Sequence, residues 1–425
     1  MYSSRRPSRG FLAAALWCTL VLALAAPGLA QAPVELSVVF SSDLAEQVQA
    51  SIDRFTAKHP HIKVNVLGFD GDRTEFIYAR QVAGMPIDII EASTTISPAL
   101  IGAGIGTDLS ELLDSDPDIS LADFIPGAVR PFTRGESEVY ALPVDLRMYV
   151  AVVNLDRVDA AGLAHPNTLA PSDWNWERFE EYLRVMTTFT PDGGVQRHGS
   201  TLRWDGLFTF TYQAGGRFVD HPTTPTRSTF TDPRVVQAFE FAERLLYPTP
   251  FVRIDGNISN HAWMQLGATT KGAADLRETG LNYDLIRWPA GPENDGMVVG
   301  STGILLNSQS AYPEEAWALL KHLLTDEEHT LDSIRNTMRP SAYLPHLRLY
   351  SPANFPENLP PGFAMLPELV ANPYLDTAPA FDGWEEIVER YRNAVRQELA
   401  TGAKPALQIL TELDQFASTF LPAKN

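Results

Sequence analysis

The chain has 425 residues, a length suited to two or three domains, with 44% hydrophobic and 20% charged residues. That is the balance of a globular protein with a sizeable core, and it excludes a disordered chain. The formal net charge of −19 opposes nucleic acid and anionic lipid, which need clustered Lys and Arg; it fits a neutral or cationic ligand, or plain solubility.

Residues 1–30 read as a secretory signal peptide. Arg5, Arg6 and Arg9 form a basic start, Phe11 to Ala26 is almost wholly apolar, and Pro27 and Gly28 break any helix. Small residues at Gly28 and Ala30 suit cleavage after Ala30 or Ala32. The apolar run falls short of the ~20 residues a span needs. Pro7 and Ser8 after the arginine pair do not fit the twin-arginine pattern well. Cys18, the single cysteine, lies inside this segment, so the mature chain is expected to have no disulfide and no thiolate chemistry. Export removes three arginines and takes the charge from −19 to about −22.

The mature chain then alternates strands and helices. Leu36, Val38 and Phe40 predict a strand over 35–40. Leu44, Val48, Ile52 and Phe55 predict a helix that Pro60 stops. Ile62, Val64 and Val66 give a second strand, Arg73 to Val82 a helix, and Ile87 to Ile90 a third strand. This order predicts a mostly parallel α/β sheet, with ligands beyond the carboxyl ends of its strands. Asn175 is placed to cap a helix, Pro233 and Pro313 to open two more, and Met297 to Leu306 forms a strand. Tyr350 to Pro379, proline-rich and without period, is expected to wrap the surface. Trp384 to Leu399 and Leu407 to Leu413 predict two late helices.

Catalytic and metal motifs fail on spacing. The glycines 102, 104 and 106 miss the dinucleotide fingerprint, because Thr107 stands where the third glycine belongs. Gly300-Ser301-Thr302-Gly303 lacks the first glycine of a nucleophile elbow and reads as a turn at a strand. His59 and His61, like His322 and His329, have no metal-ligand spacing. The glutamates 177, 180 and 181 lie on a solvated helix face. No catalytic residue, metal site or cofactor is expected.

The order of short motifs resembles the extracellular solute-binding proteins of ABC importers, in their carbohydrate-type (family 1) branch. The resemblance is carried by Phe55 to Val66 ("F, then P-x-I-x-V"), Ala83 to Asp88, Gly104 to Leu113, Tyr140-Ala-Leu-Pro143, Asn154 with Ala161-Gly162-Leu163, Asn175 to Phe179, Ala214-Gly215-Gly216 and Ala316-Trp317. Val152 and Val153 depart from it, standing where aromatics are usual, and 261–275 matches poorly. The resemblance implies an α/β, two-lobed periplasmic-binding-protein architecture with hinge strands and a ligand cleft between lobes. Hinges are expected near Leu142-Pro143, Trp288-Pro289 and Arg339-Pro340. The N-terminal lobe would comprise 33–142 and 289–338, and the C-terminal lobe 143–288 and 339–425. A monomeric, non-enzymatic periplasmic receptor is implied, which captures a sugar or oligosaccharide by closing and delivers it to the importer's membrane subunits.

A sugar needs planar hydrogen-bonding groups and aromatic plates. Strand ends supply Phe40, Ser41, Glu91 and Ser93 as candidates. Asp145 and Arg147 follow the first hinge, Ser301 and Thr302 the second, and Arg339 the third. Trp204, with Asp205, sits in a polar turn before an apolar helix and is the best stacking candidate; Trp263 is similar, while Trp176, Trp317 and Trp384 fit helix cores. Two alternatives stay open: the same architecture around a glycerophosphodiester, polyamine or polyol, or an exported carboxylate-dependent glycosidase.

Overall fold

The alternating Leu36, Val38 and Phe40 lie in the strand Val34–Phe40, part of a six-stranded sheet. The computed structural model describes residues 32–135 and 137–422; the signal-peptide expectation falls outside the described residues. Val34–Phe40 pairs in parallel with Ile62–Gly68, from Val34 opposite Ile62 to Phe40 opposite Gly68, and with Ile89–Ser93 on its other side. The third strand starts two residues later than its apolar run suggested, because Ile87 is buried ahead of the ladder. Beyond it, Val298–Leu306 runs antiparallel to both Ile89–Ser93 and Ala141–Arg147.

Helices cover both faces of this sheet. On one, Leu44, Val48, Ile52 and Phe55 of the helix Ser42–Lys58 pack with Leu36, Val38, Phe40 and the inner side of the helix Pro313–Thr325. Each such buried side chain contributes about 1.5–3 kcal/mol. On the other, Val39, Ile90 and Ala92 meet Ile77 of the helix Arg73–Val82, Leu100 and Phe132. Asp72 caps Arg73–Val82 by accepting from the Glu75 amide at 3.0 Å.

The second sheet has five strands. Tyr149–Asn154 runs antiparallel to Met264–Thr269 and Tyr283–Ile286, while Ser200–Leu202 pairs in parallel with Val252–Ile254 and Met264–Thr269. Its helices behave as their sequences predict. The Asn175 side chain accepts from the Arg178 amide at 3.0 Å to start Trp176–Met186, and Pro233 opens Pro233–Leu246. These helices, with Gly206–Gln213, Trp384–Asn393 and Ala406–Ser418, bury one continuous core rich in aromatics.

The chain passes between the sheets repeatedly. The strand Ala141–Arg147 stays in the first sheet to its end, so the first passage comes at Met148, later than the expected hinge at Leu142-Pro143. The second lies between Ile286 and Val298. The third follows the helix Glu327–Thr337 through Met338, whose φ of 55° is rare for a residue with a Cβ. The Met338 carbonyl accepts from the Thr270 hydroxyl and the Tyr350 hydroxyl, both at 2.9 Å, which holds this bend in place.

Two sequence expectations need correction. Tyr350 to Pro379 does not merely wrap the surface: Phe363, Leu366, Leu369 and Val370 are buried in the second core, because short helical turns point alternate apolar residues inward. The segment then returns as Asp376–Thr377, parallel to Val298 and Val299 on the hinge strand. Gly300 to Gly303 is not a turn but the interior of that strand. Glycine is needed at 303 because a Cβ there would lie 2.8 Å from the Phe132 ring.

Candidate functional site

Between the two sheets lies a cavity of about 1030 Å³, floored by the passages between them. On the first-lobe side, Ser41 follows the opening strand, and Glu91 and Ser93 end the third, the carboxyl-end positions where open α/β sheets offer ligand groups. These groups are already organised. The Ser41 amide donates to Glu91 Oε2 at 2.6 Å, and Arg73 Nη1 pairs with the same oxygen at 2.7 Å. Burial of a carboxylate is tolerated here because both partners are charged or polar and well placed.

The second-lobe side presents aromatic plates. Trp204 leads into the helix Gly206–Gln213, half-buried, in edge contact with Phe208 at 6.0 Å and Tyr391 at 6.2 Å. Arg392 lies over its ring, 4.7 Å from the centroid. Tyr149 is held beneath Arg203, 4.4 Å away. Arg203 in turn makes two bonds to Asp205, Nε to Oδ1 at 2.9 Å and Nη2 to Oδ2 at 2.6 Å, which raise its pKa above the ordinary guanidinium value despite burial. Trp288 donates from Nε1 to the Tyr149 carbonyl at 2.7 Å, fixing a third aromatic at the floor. Burial raises the Tyr391 hydroxyl well above its usual pKa, so it stays neutral behind Trp204.

The structure brings together Ser41, Glu91, Ser93, Arg147, Trp204, Asp205, Ser301, Thr302 and Arg339 around this cavity. Three other candidates stand elsewhere. Phe40 points into the first core and is fully buried, since the strand alternation turns it to the helix side. Asp145 is buried behind the floor and accepts from Arg339 Nη1 at 3.2 Å, orienting that arginine instead of facing the cavity. Trp263 lies off the cavity between Arg197, 3.8 Å from its ring, and Arg157 at 5.7 Å. Arg73, Tyr149, Trp288, Trp384 and Arg392 line the cavity without having been singled out as ligand groups. Trp384 fits its helix core position and reaches the cavity as well. Arg392, two turns further along the same helix, has no sequence signal that separates it from a solvated arginine.

Two charged clusters away from the cavity lining are structural. Asp376 is buried and accepts from Arg130 at 2.5 Å and Arg217 at 3.3 Å, behind the hinge strand. Asp116 holds Lys321 at 2.6 Å and the Trp317 indole at 2.9 Å, tying the first lobe's loops to the helix Pro313–Thr325.

Residues 41–330 match the family model of the bacterial extracellular solute-binding proteins, and the chain belongs to that family. A comparison with curated protein sequences finds no match. Among solved structures, the chain is similar to the cyclic alpha-maltosyl-1,6-maltose binding protein from Arthrobacter globiformis, with a TM-score of 0.76, 15% identity, and 91% of this chain and 99% of that one covered. It is also similar to the sugar-binding protein MalE from Xanthomonas citri, with a TM-score of 0.74, 16% identity, and coverage of 91% and 97%. A third is an ABC substrate-binding protein from Listeria monocytogenes in complex with cycloalternan, with a TM-score of 0.72, 17% identity, and coverage of 91% and 98%. At these identities the likeness establishes the two-lobed α/β fold.

Proposed function

We propose that the protein is a periplasmic receptor that captures a carbohydrate between its lobes and hands it to an ABC importer. The observation that carries this reading is the chemistry of the cavity: aromatic plates on one lobe face oriented hydroxyls and charged hydrogen-bonding groups on the other. A sugar ring offers the complement, apolar C–H faces edged by hydroxyls. The three similar structures, named for or bound to sugars, support the same ligand class. Hydrolysis has less support. The two carboxylates best placed to act as an acid–base pair, Glu91 and Asp205, are each committed to an arginine.

In this reading lobe one spans 33–147 and the segment from Val298 to the third passage, and lobe two the remainder. The ligand meets both sets of contacts only in the closed form, so it draws the equilibrium toward closure. The importer's membrane subunits then read the closed shape of a monomer, exported by cleavage of residues 1–30.

The test is a thermal-shift screen of the chain from residue 31 against sugars, polyols, glycerophosphodiesters and polyamines. A carbohydrate at 100 times its dissociation constant adds about 2.7 kcal/mol of stability, and the ligand is recovered unchanged. A shift with only a non-sugar class overturns the carbohydrate reading, and turnover of the ligand overturns the receptor reading.

A further inference from the structure

The molecule is strongly acidic overall, yet its cavity is lined with cations. Five cationic side chains line the cavity: Arg73, Arg147, Lys271, Arg339 and Arg392. Four have carboxylate partners. Arg73 is paired with Glu91 at 2.7 Å, Lys271 with Asp275 at 2.6 Å, Arg339 with Asp145 at 3.2 Å and Arg392 with Glu389 at 2.5 Å. Arg147, exposed to the cavity, has none within ion-pair distance among the described residues, and its guanidinium donates no hydrogen bond to any of them.

Its position is specific. Arg147 ends the last first-lobe strand before the chain passes to the second lobe, two residues before the Tyr149 plate. Opposite it in the antiparallel ladder stands Gly300, where a Cβ would lie 3.2 Å from the Arg147 Cβ, so the facing strand puts no side chain against the start of the Arg147 side chain. The acidic groups of the lining do not neutralise it. Glu91 and Asp205 are each committed to an arginine, and Asp43 and Glu46 are exposed on the first turns of the helix Ser42–Lys58. An unpaired guanidinium on the floor, next to aromatic plates, matches a ring that carries an anion, because its planar fork binds a carboxylate or phosphate in two-point fashion.

We propose that the preferred ligand is an acidic carbohydrate, a sugar ring bearing a carboxylate or phosphate, with its anionic group on Arg147 and its ring against Tyr149 and Trp204. This rests on the carbohydrate reading of the cavity and narrows it. The fixed ion pairs then serve to prevent the other cations from competing for the same group. The strongly acidic surface does not forbid such a ligand, since solvent screens charges beyond about 8–10 Å while the floor arginine acts at contact.

The experiment is calorimetric binding of oligouronates, their neutral counterpart oligosaccharides and hexose phosphates to the unsubstituted chain and to Arg147→Gln and Arg147→Lys, at low and high salt. The expected result is at least about tenfold tighter binding of an acidic sugar than of its neutral counterpart. Arg147→Gln brings that ratio to about one, and Arg147→Lys restores part of it. Whether uronate or phosphate binds tighter identifies the source of the anion. Neutral sugars binding as tightly as acidic ones, or Arg147→Gln weakening both alike because Arg147 pairs with an acid of the second lobe on closure, overturns this inference and leaves the carbohydrate reading intact. Binding of no carbohydrate at all overturns that reading too. Unliganded melts of both variants, matching that of the unsubstituted chain, separate loss of recognition from loss of folding.

Discussion

The two lobes meet the cavity with different materials. The first offers a preformed ion pair, Arg73–Glu91, with the Ser41 amide and the hydroxyls of Ser93 and Thr302. The second offers Tyr149, Trp204 and Trp288, each backed by an arginine or an indole hydrogen bond. The difference follows from how each lobe is built. The first lobe's sheet is sandwiched between two aliphatic layers, and its cavity edge is simply the ends of its strands. The second lobe's core is a continuous aromatic cluster in which Phe208, Phe218, Trp384 and Tyr391 touch one another, and its outermost rings spill into the cavity. A plate extended from a packed core is rigid, and so are groups fixed at strand ends by buried ion pairs. Stacking can therefore proceed on one lobe before the other closes over it.

That division can be broken from either side. The largest effect is expected at the first lobe's clamp. Glu91→Gln leaves the Arg73 guanidinium half-buried without its charge partner and lowers stability by about 3 kcal/mol, read as a drop in the urea midpoint. If stability is unchanged, the pair is not a structural part of the strand end. Next comes the plate. Trp204→Ala is expected to weaken ligand binding by about 2 kcal/mol, close to thirtyfold. Calorimetry with the ligand found in the screen measures it. A loss confined to thermal stability, with affinity intact, would return Trp204 to the core.

Three histidines, at 322, 329 and 346, give the smallest effect per residue and sharpen the contrast. His322 shares a hydrogen bond with the Ser51 carbonyl at 2.9 Å, and His346 one with the Thr330 hydroxyl at 2.8 Å, while His329 is buried beside them on the helix that leads to the third passage. Burial lowers the pKa of all three, so the folded protein holds them neutral. Because the folded values lie below the unfolded histidine value of about 6.5, their contribution to stability is complete above that pH. It is lost as pH falls toward the folded values. Urea melts at descending pH should show stability falling by up to about 1.4 kcal/mol per pH unit for each proton taken up. His329→Gln should flatten that slope; an unchanged slope would assign the effect to other groups. Asp326 adds to the loss at lower pH. Burial raises its pKa, but hydrogen bonds from Ser51 and Arg54 outweigh it and hold the carboxyl below its usual value.

Period and punctuation in the sequence determined the local elements and, through the order of motifs, the two-lobed architecture. The helix Arg73–Val82, the cap at Asn175 and the helix starts at Pro233 and Pro313 were legible because they depend on a few neighbouring residues. Strand ends could be named as site positions because parallel sheets present ligands there whatever their sequence, which brought Ser41, Glu91 and Ser93 to the cavity. What a side chain faces within a strand, and which distant partner claims its charge, was decided only by tertiary structure. Asp145 and Arg147 are two residues apart on one strand, yet the first is buried under Arg339 and the second lies open on the cavity floor. Trp204 and Trp263 look alike in sequence, but only the first lies on the cavity wall, the other being packed between Arg157 and Arg197. The physical reason is one of range. Helix periods and caps are settled within a few residues, whereas ion pairs and stacking join groups that the folded backbone brings together from opposite ends of the chain.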